Sequence, residues 1–276
     1  MMKRASILTF LFALSVLSSC KQSDPEEALA RTATEVTFSG RKWDIKSGYN
    51  GPGPNSFYKE NENVWVDEKG YLHMAITKHE DGNWYSSEVI SQENMGYGTY
   101  AFTIQGNPLT FAKNVVLGLF TWDNSTFHDQ GNSEVDIEFS KWGVEDDTHP
   151  LTTSVQPVFF STYFAERSHQ HMIDPEQLNG VSTHIFTWTD TLITWKSFKG
   201  DDFRNAEPIA SWQFDLDHPP RIKEENGNQS LPIVIPAPGP TTNARINFWT
   251  QTYIANGPSN GLNHEIVIRK FEYLPL

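Results

Sequence analysis

The chain has 276 residues, a single cysteine, a formal net charge of -13 and 13% aromatic residues, nine of them Trp. That length is ample for one large all-β domain or two small ones, and the acidic balance argues against nucleic acid, whose binders need basic surface to displace counterions. One thiol excludes a disulfide-stapled scaffold or a thiolate metal cluster.

Lys3 and Arg4 form a basic head, residues 7–17 an apolar run too short to span a bilayer securely, and Leu17-Ser18-Ser19-Cys20 a small-residue cleavage site. Because it ends on the only cysteine, that site resembles the lipobox of a bacterial lipoprotein, in which Cys20 would be acylated and become the new N-terminus. The plainer alternative is ordinary signal-peptide cleavage nearby with Cys20 incidental. The expected layout is a signal peptide over 1–19, a lipidated cysteine and polar tether over 20–33, and one domain over 34–276. Such a chain is expected at the cell envelope of a Gram-negative bacterium, anchored to the outer membrane by its lipid.

From residue 34 on, short β-rich runs alternate with turn signals and no long helical period occurs, which predicts an all-β sandwich. Residues 63–66 and 71–76 flank a turn at 67–70 and predict a hairpin. Runs 84–91 and 98–105 alternate, and 115–122 is continuously apolar, as a central strand should be. A polar loop over 123–133 leads to the acidic stretch, and further runs follow at 153–163, 184–189, 192–198, 209–214, 245–251 and 265–273. Residues 175–178 predict a turn of helix. The stretches 48–56, 221–240 and 255–263 predict loops, the second long enough to form a rim or lid.

The most informative segment is Glu134-Val135-Asp136-Ile137-Glu138-Phe139. Its period of two sends Val135, Ile137 and Phe139 to one face of a strand and the three acids to the other. At about 3.3 Å per residue, the Cα atoms of Glu134 and Glu138 lie roughly 13 Å apart. Side chains leaning toward each other would bring the carboxyls to roughly 5 to 6 Å, the separation used by retaining glycosidases. Three readings stand at this point: a catalytic pair, a solvated acidic face, or oxygen ligands for a hard cation such as calcium.

The surrounding segments resemble glycoside hydrolase family 16, the laminarinase, lichenase and agarase group. Tyr85-Ser86-Ser87-Glu88 and Gly96-Tyr97-Gly98-Thr99-Tyr100 resemble its paired strands around a Tyr-Gly turn, and residues 117–122 its strand ahead of the catalytic one. Residues 133–139 resemble its E-x-D-x-E motif, Thr153-Ser154-Val155-Gln156 a following cleft strand, residues 184–188 and 193–195 its H-x-[YF] and I-x-W segments, and Ile246-Asn247-Phe248-Trp249 its M-N-L-W strand. The resemblance implies a concanavalin-like jelly roll of two antiparallel sheets with a concave substrate cleft. It implies Glu134 as nucleophile, Glu138 as general acid/base and Asp136 as the electrostatic helper between them. It also implies a β-linked polysaccharide substrate.

The departures concern recognition. The family often places an arginine two positions after its cleft glutamate, where this chain has Ile90; its Tyr-Gly turn usually leads to E-x-R, here Ala101-Phe102-Thr103. Lichenase-type members carry a tryptophan where Asn132 stands and an asparagine where Val158 stands. Trp122, at the end of a cleft strand, is the first sugar-stacking candidate, with core packing as the alternative. Glu88 and Gln156 match cleft-facing positions, Trp142 lies four residues beyond Glu138, and Asn55 sits in a loop that could reach the cleft, although turn formation alone explains it. The expected function is retaining endo-hydrolysis, with a non-catalytic glycan binder or a transglycosylase as alternatives. No cofactor is expected to be required. Structural calcium is possible at Asp146-Asp147 or around Asp215 and Asp217. No metal enters the predicted site, and the chain is expected to be a monomer.

Overall fold

The structure is a computed structural model that describes residues 34–57, 62–126, 131–155, 167–215 and 235–276. Strands β1 (Glu35–Phe38) and β2 (Arg41–Ile45) form a hairpin. Strands β3 (Gly48–Asn50) and β4 (Asn55–Phe57) pair within the stretch expected to be only loop. The predicted hairpin follows as β5 (Val64–Val66) and β6 (Leu72–Lys78). Its turn is stabilised by Asp67, whose side chain accepts from the amides of Lys69 and Tyr71, and by Gly70 in the left-handed region.

The alternating run 84–91 divides at Ser86 into β7 (Trp84–Tyr85), paired with β6, and β8 (Ser87–Ser91), which belongs to the other sheet. Next come β9 (Gly98–Gln105), β10 (Val115–Trp122), β11 (Val135–Phe139), β12 (Leu151–Val155) and β13 (Ser168–His171). A single 3-10 turn at Pro175–Leu178, capped by Asp174, stands where a helical turn was expected. The chain continues through β14 (Val181–Trp188), β15 (Leu192–Lys199), β16 (Ala210–Asp215), β17 (Asn243–Thr250) and β18 (His264–Pro275).

Two large antiparallel sheets result. The front sheet has the order β1-β2-β8-β17-β10-β11-β12-β13; the back sheet runs β16-β15-β14-β9-β18-β6-β5, with β7 attached to β6. This is the expected all-β sandwich. Sequence neighbours repeatedly land far apart in the sheets, so residues separated by more than a hundred positions become cross-strand partners.

The core lies between the sheets and takes the alternate residues of each strand. On β11 it takes Val135, Ile137 and Phe139, all essentially inaccessible, each contributing about 1.5–3 kcal/mol by leaving water. Trp195 of the back sheet fills the space beneath them, and its indole nitrogen donates to the main-chain carbonyl of Asp136 at 3.0 Å. The acidic strand is therefore fixed from behind by packing and by a hydrogen bond. Among the described residues no helix is long and apolar enough to cross a membrane. Cys20, the expected leader and tether, and Gln156 lie outside the described residues.

Candidate active site

Within the paired strands, residues that face away from the core meet direct partners, and these form rows across the front sheet. One row runs Glu88, Asn247, Gly118, Glu138, Thr152 and Gln170. The adjacent row runs Ile90, Arg245, Phe120, Asp136, Ser154 and Ser168. The three acids of the sequence motif thus project from the solvent side of a wide sheet.

The two glutamates remain partly exposed, whereas Asp136 between them is 3% accessible and accepts a hydrogen bond from Ser154 Oγ at 2.9 Å. Regular pairing of β11 begins only after Glu134. Asn132 and Ser133, both with positive φ (63° and 51°), turn the chain sharply just ahead of it. Such backbone is costly for residues other than glycine and persists where the surroundings hold it. Here Thr121 does so: its hydroxyl donates to the Ser133 carbonyl at 2.9 Å and accepts from the Val135 amide at 3.2 Å.

Burial pushes both glutamates up. Glu134 rises well above the usual carboxylate range because of desolvation first, then the charges of Asp136 and Glu138 and a shared hydrogen bond with Asp136; Arg245 opposes the rise. Glu138 is pushed up to about 8 by desolvation and by the charge of Asp136. The acid/base role requires a proton near neutral pH, and this environment supplies that condition at Glu138. The same burial favours the proton at Glu134 as well, where the nucleophile role needs the carboxylate. The counterweight at Glu134 is a cation that the motif did not reveal.

That cation, Arg245, extends over Trp122 with its guanidinium carbon 5.4 Å from the ring centre. Its Nε donates to Asn243 at 2.9 Å, and its Nη1 lies 3.5 Å from Glu88. Arg245 is the direct partner of Ile90, the position at which the family resemblance led one to expect arginine. A guanidinium thus stands one strand over from that position, which no linear motif could reveal.

Glu88 therefore needs correction. It stands in the Glu138 row, but only 1% of it is accessible and its carboxylate is shared between Lys46 (2.6 Å) and Arg245. It holds cations in place rather than offering itself to sugar. Asn55 is corrected for a similar reason: it is buried, its amide donates to the carbonyls of Pro52 and Thr250, and its oxygen accepts from Ser86 and Thr250. With every group engaged, it pins the β3–β4 loop to β17.

Trp122 is partly exposed on the same face as the acids, with its indole nitrogen bonded to Asn124 at 2.8 Å. Trp142 does not continue the strand, because β11 ends at Phe139 and Trp142 adopts a positive φ of 47°. Its indole nevertheless turns back to Thr152, beside Glu138, at 3.4 Å. Both tryptophans thus flank the acids.

Two residues missed by sequence reasoning complete the row. A Cβ on Gly118 would overlap the side-chain oxygen of Asn247, so glycine allows that amide to lie over β10 next to Glu138. Asn247 Oδ1 is buried without a hydrogen-bond partner among the described residues. At the rim beyond Trp122, Asp123 is wholly buried and accepts from Ser125, Thr241 and Thr242, tying the loop after β10 to the loop before β17. Burial would raise its pKa, but the hydrogen bonds from Ser125 and Thr241 outweigh it and hold the carboxyl at about 2. No group of three or more His, Cys, Asp or Glu side chains suited to a metal occurs among the described residues.

No protein-family model matches the sequence, and no curated protein matches it. Solved structures do. A β-glucanase of Bacillus licheniformis, 18% identical, superimposes with a TM-score of 0.56 over 85% of this chain and 92% of its own. The chain shares its fold. A non-specific endo-β-1,3(4)-glucanase of family GH16 matches with a TM-score of 0.58 at 13% identity, covering 88% of both chains. An immunostimulatory antigen and pseudo β-1,3-glucanase of Mycobacterium tuberculosis matches with a TM-score of 0.55 at 15% identity, over 85% of this chain and 91% of its own.

Proposed function

We propose that this chain is a retaining endo-glycosidase that hydrolyses a β-linked polysaccharide of the β-glucan or galactan type. The observation that carries the reading is the placement of Glu134, Asp136 and Glu138 on the solvent face of β11, with a proton favoured on Glu138 near neutral pH. In the first step a Glu134 carboxylate oxygen bonds to the anomeric carbon as the glycosidic bond breaks, and Glu138 gives its proton to the departing oxygen. In the second, Glu138 takes a proton from water, whose oxygen displaces Glu134 from the sugar. Asp136, fixed by Ser154, keeps the intervening space polar and shares a hydrogen bond with Glu134. Trp122 and Trp142 supply apolar faces for sugar rings on either side.

The leader ending on Cys20 supports a protein held on the cell envelope by lipid, acting on polymers outside the cell. Incubation of the purified chain and its Glu134→Gln variant with mixed-linkage and β-1,3-glucans, xyloglucan, agar and carrageenan tests the activity. Reducing ends should appear from at least one polymer and vanish in the variant. A second reading, glycan capture without cleavage, draws support from the pseudo-glucanase among the matched folds. Wild-type binding without release across that panel would favour it.

A further inference from the structure

We propose that the pocket between the β3–β4 hairpin and the loop after β17 is a sugar subsite that accepts one ring of an uncharged polysaccharide, with Trp84 and Tyr49 as its aromatic walls. The inference rests on the glycosidase reading of the acidic strand and narrows its substrate: neutral chains are taken and sulfated ones refused.

Three segments build the pocket. Tyr49 and Ser56 come from the hairpin, Asn83 and Trp84 from β7 and the turn before it, and Thr252 and Asn256 from the loop after β17. Its volume of about 250 Å³ lies below that of sites enclosing drug-sized ligands, so it suits a single ring. The frame is tied down without a ligand. The buried Asn55 amide donates to the Thr250 carbonyl at 2.9 Å, and Ser86 donates to the Asn55 oxygen at 3.0 Å. Gly257, with a φ of 83°, packs so closely on Trp84 that a Cβ there would overlap the indole, which fixes the ring from that side.

The lining selects a neutral, hydroxyl-rich ligand. None of the ten described residues that line the pocket is charged. A wider depression that includes Asp81, two residues from Asn83, is lined by Glu62, Lys78, His79 and Glu80 as well, so the lack of charge belongs to this pocket and not to the surface around it. An anionic group entering the pocket would lose water with no cation to meet it, a cost that a neutral ring does not incur. Among the described residues the indole nitrogen of Trp84, the hydroxyl of Ser56 and the amide of Asn256 make no hydrogen bond, which leaves donors and acceptors for sugar hydroxyls. Tyr49 is 72% exposed, an aromatic face left to water until a ring covers it. The pocket also stands within reach of the acids. Thr250, on its lining, follows Asn247 by three residues on β17, and Asn247 is two strand spacings from Glu138, so the Cα atoms of Thr250 and Glu138 lie roughly 14 Å apart. A long chain spans that distance and a short one does not.

The test is NMR of the tryptophan indole N–H groups in the full chain carrying Glu134→Gln, which leaves sugar uncut, with signals assigned through Trp84→Phe and Trp122→Phe. The probes are hexasaccharides of β-1,3-glucan, mixed-linkage glucan, agarose and carrageenan. At least one neutral hexasaccharide should shift the Trp84 signal at the same midpoint concentration as Trp122, and the sulfated one should leave Trp84 unmoved. Tyr49→Ala and Asn256→Ala, both at exposed positions, should each weaken that neutral ligand about three- to tenfold. With Glu134 restored, the same two changes should raise KM for the polymer by a similar factor and keep kcat.

A neutral hexasaccharide that shifts Trp122 and leaves Trp84 still would overturn the subsite and keep the glycosidase reading. A Trp84 shift as large with carrageenan as with the neutral probes would overturn the selection against charge. If Trp84 shifts but the wild type releases no reducing ends, the subsite stands and the hydrolase reading fails by itself. No shift at either tryptophan with any probe would overturn both. Asn256→Phe, which fills the pocket from an exposed position, supplies a further variant should the alanine changes fold poorly: it should abolish the Trp84 shift and spare that of Trp122.

Discussion

Asp123 and the acidic face of β11, at the two ends of one loop in the sequence, carry buried or half-buried carboxyls with opposite electrostatic fates. Asp123 receives five hydrogen bonds from Ser125, Thr241 and Thr242 and is held at about 2. On β11 three carboxyls share one face, Ser154 donates to Asp136, and both glutamates are driven upward. Burial raises the pKa in both places; at Asp123 the hydrogen bonds from Ser125 and Thr241 outweigh it, whereas on β11 the charge of neighbouring carboxyls adds to it.

The comparison breaks most visibly if the same isosteric swap is made at each place. Glu134→Gln should lower kcat by about a thousandfold or more in a reducing-end assay, since an amide is not a nucleophile toward the anomeric carbon. Glu138→Gln should cost about 10²–10⁴-fold, least with substrates whose leaving group needs no protonation. A smaller loss, up to about a hundredfold, is expected for Gly118→Ala, whose methyl would displace the Asn247 amide beside Glu138 without touching either acid.

Stability should respond with opposite signs. Asp123→Asn removes a charge that the loops solvate and should cost about 1–3 kcal/mol, seen as a Tm lower by several degrees. Because the folded pKa of Asp123 lies below its unfolded value, its contribution is present above about pH 4 and is lost as pH falls toward 2. For Glu138 the folded value lies above the unfolded one, so its contribution to stability is full below about pH 4.5 and is lost as pH rises through about 8. Glu138→Gln should therefore melt higher than wild type at pH 9, with the difference shrinking at pH 5. The smallest effect is on the profile itself: wild-type kcat/KM should decline above about pH 8, as Glu138 gives up the proton it must donate.

Much of this site was legible because an alternating strand writes its two faces directly into the sequence. Val135, Ile137 and Phe139 went to the core and the acids to the opposite face, as a period of two requires. The position of Arg245 was not legible. Its relation to Ile90 and to the acids depends on β17 inserting between β8 and β10, a register joining residues more than 150 positions apart in sequence. Glu88 and Asn55 were misread for the same cause. A residue type and a family position specify which face a side chain occupies, whereas Lys46, Arg245 and Thr250 decide whether anything remains free to bind sugar. The division of 84–91 between two sheets was hidden too, since alternation continues through Ser86 while the hydrogen-bonding partner changes.

Trp195 gives the acidic strand a mechanical connection to the rear of the molecule. Its indole is bonded to the Asp136 carbonyl on one side and stacked on Trp212 at 4.8 Å on the other, and Trp212 is covered in turn by His169 of β13 at 5.8 Å. Three aromatic plates thus close the open edge of the sandwich and end on the main chain of the reactive segment. A change at that edge, remote from any sugar, would alter the stiffness of the platform from which the acids act. If the acids act as proposed, a change in the Trp212 stack would reach them through Trp195.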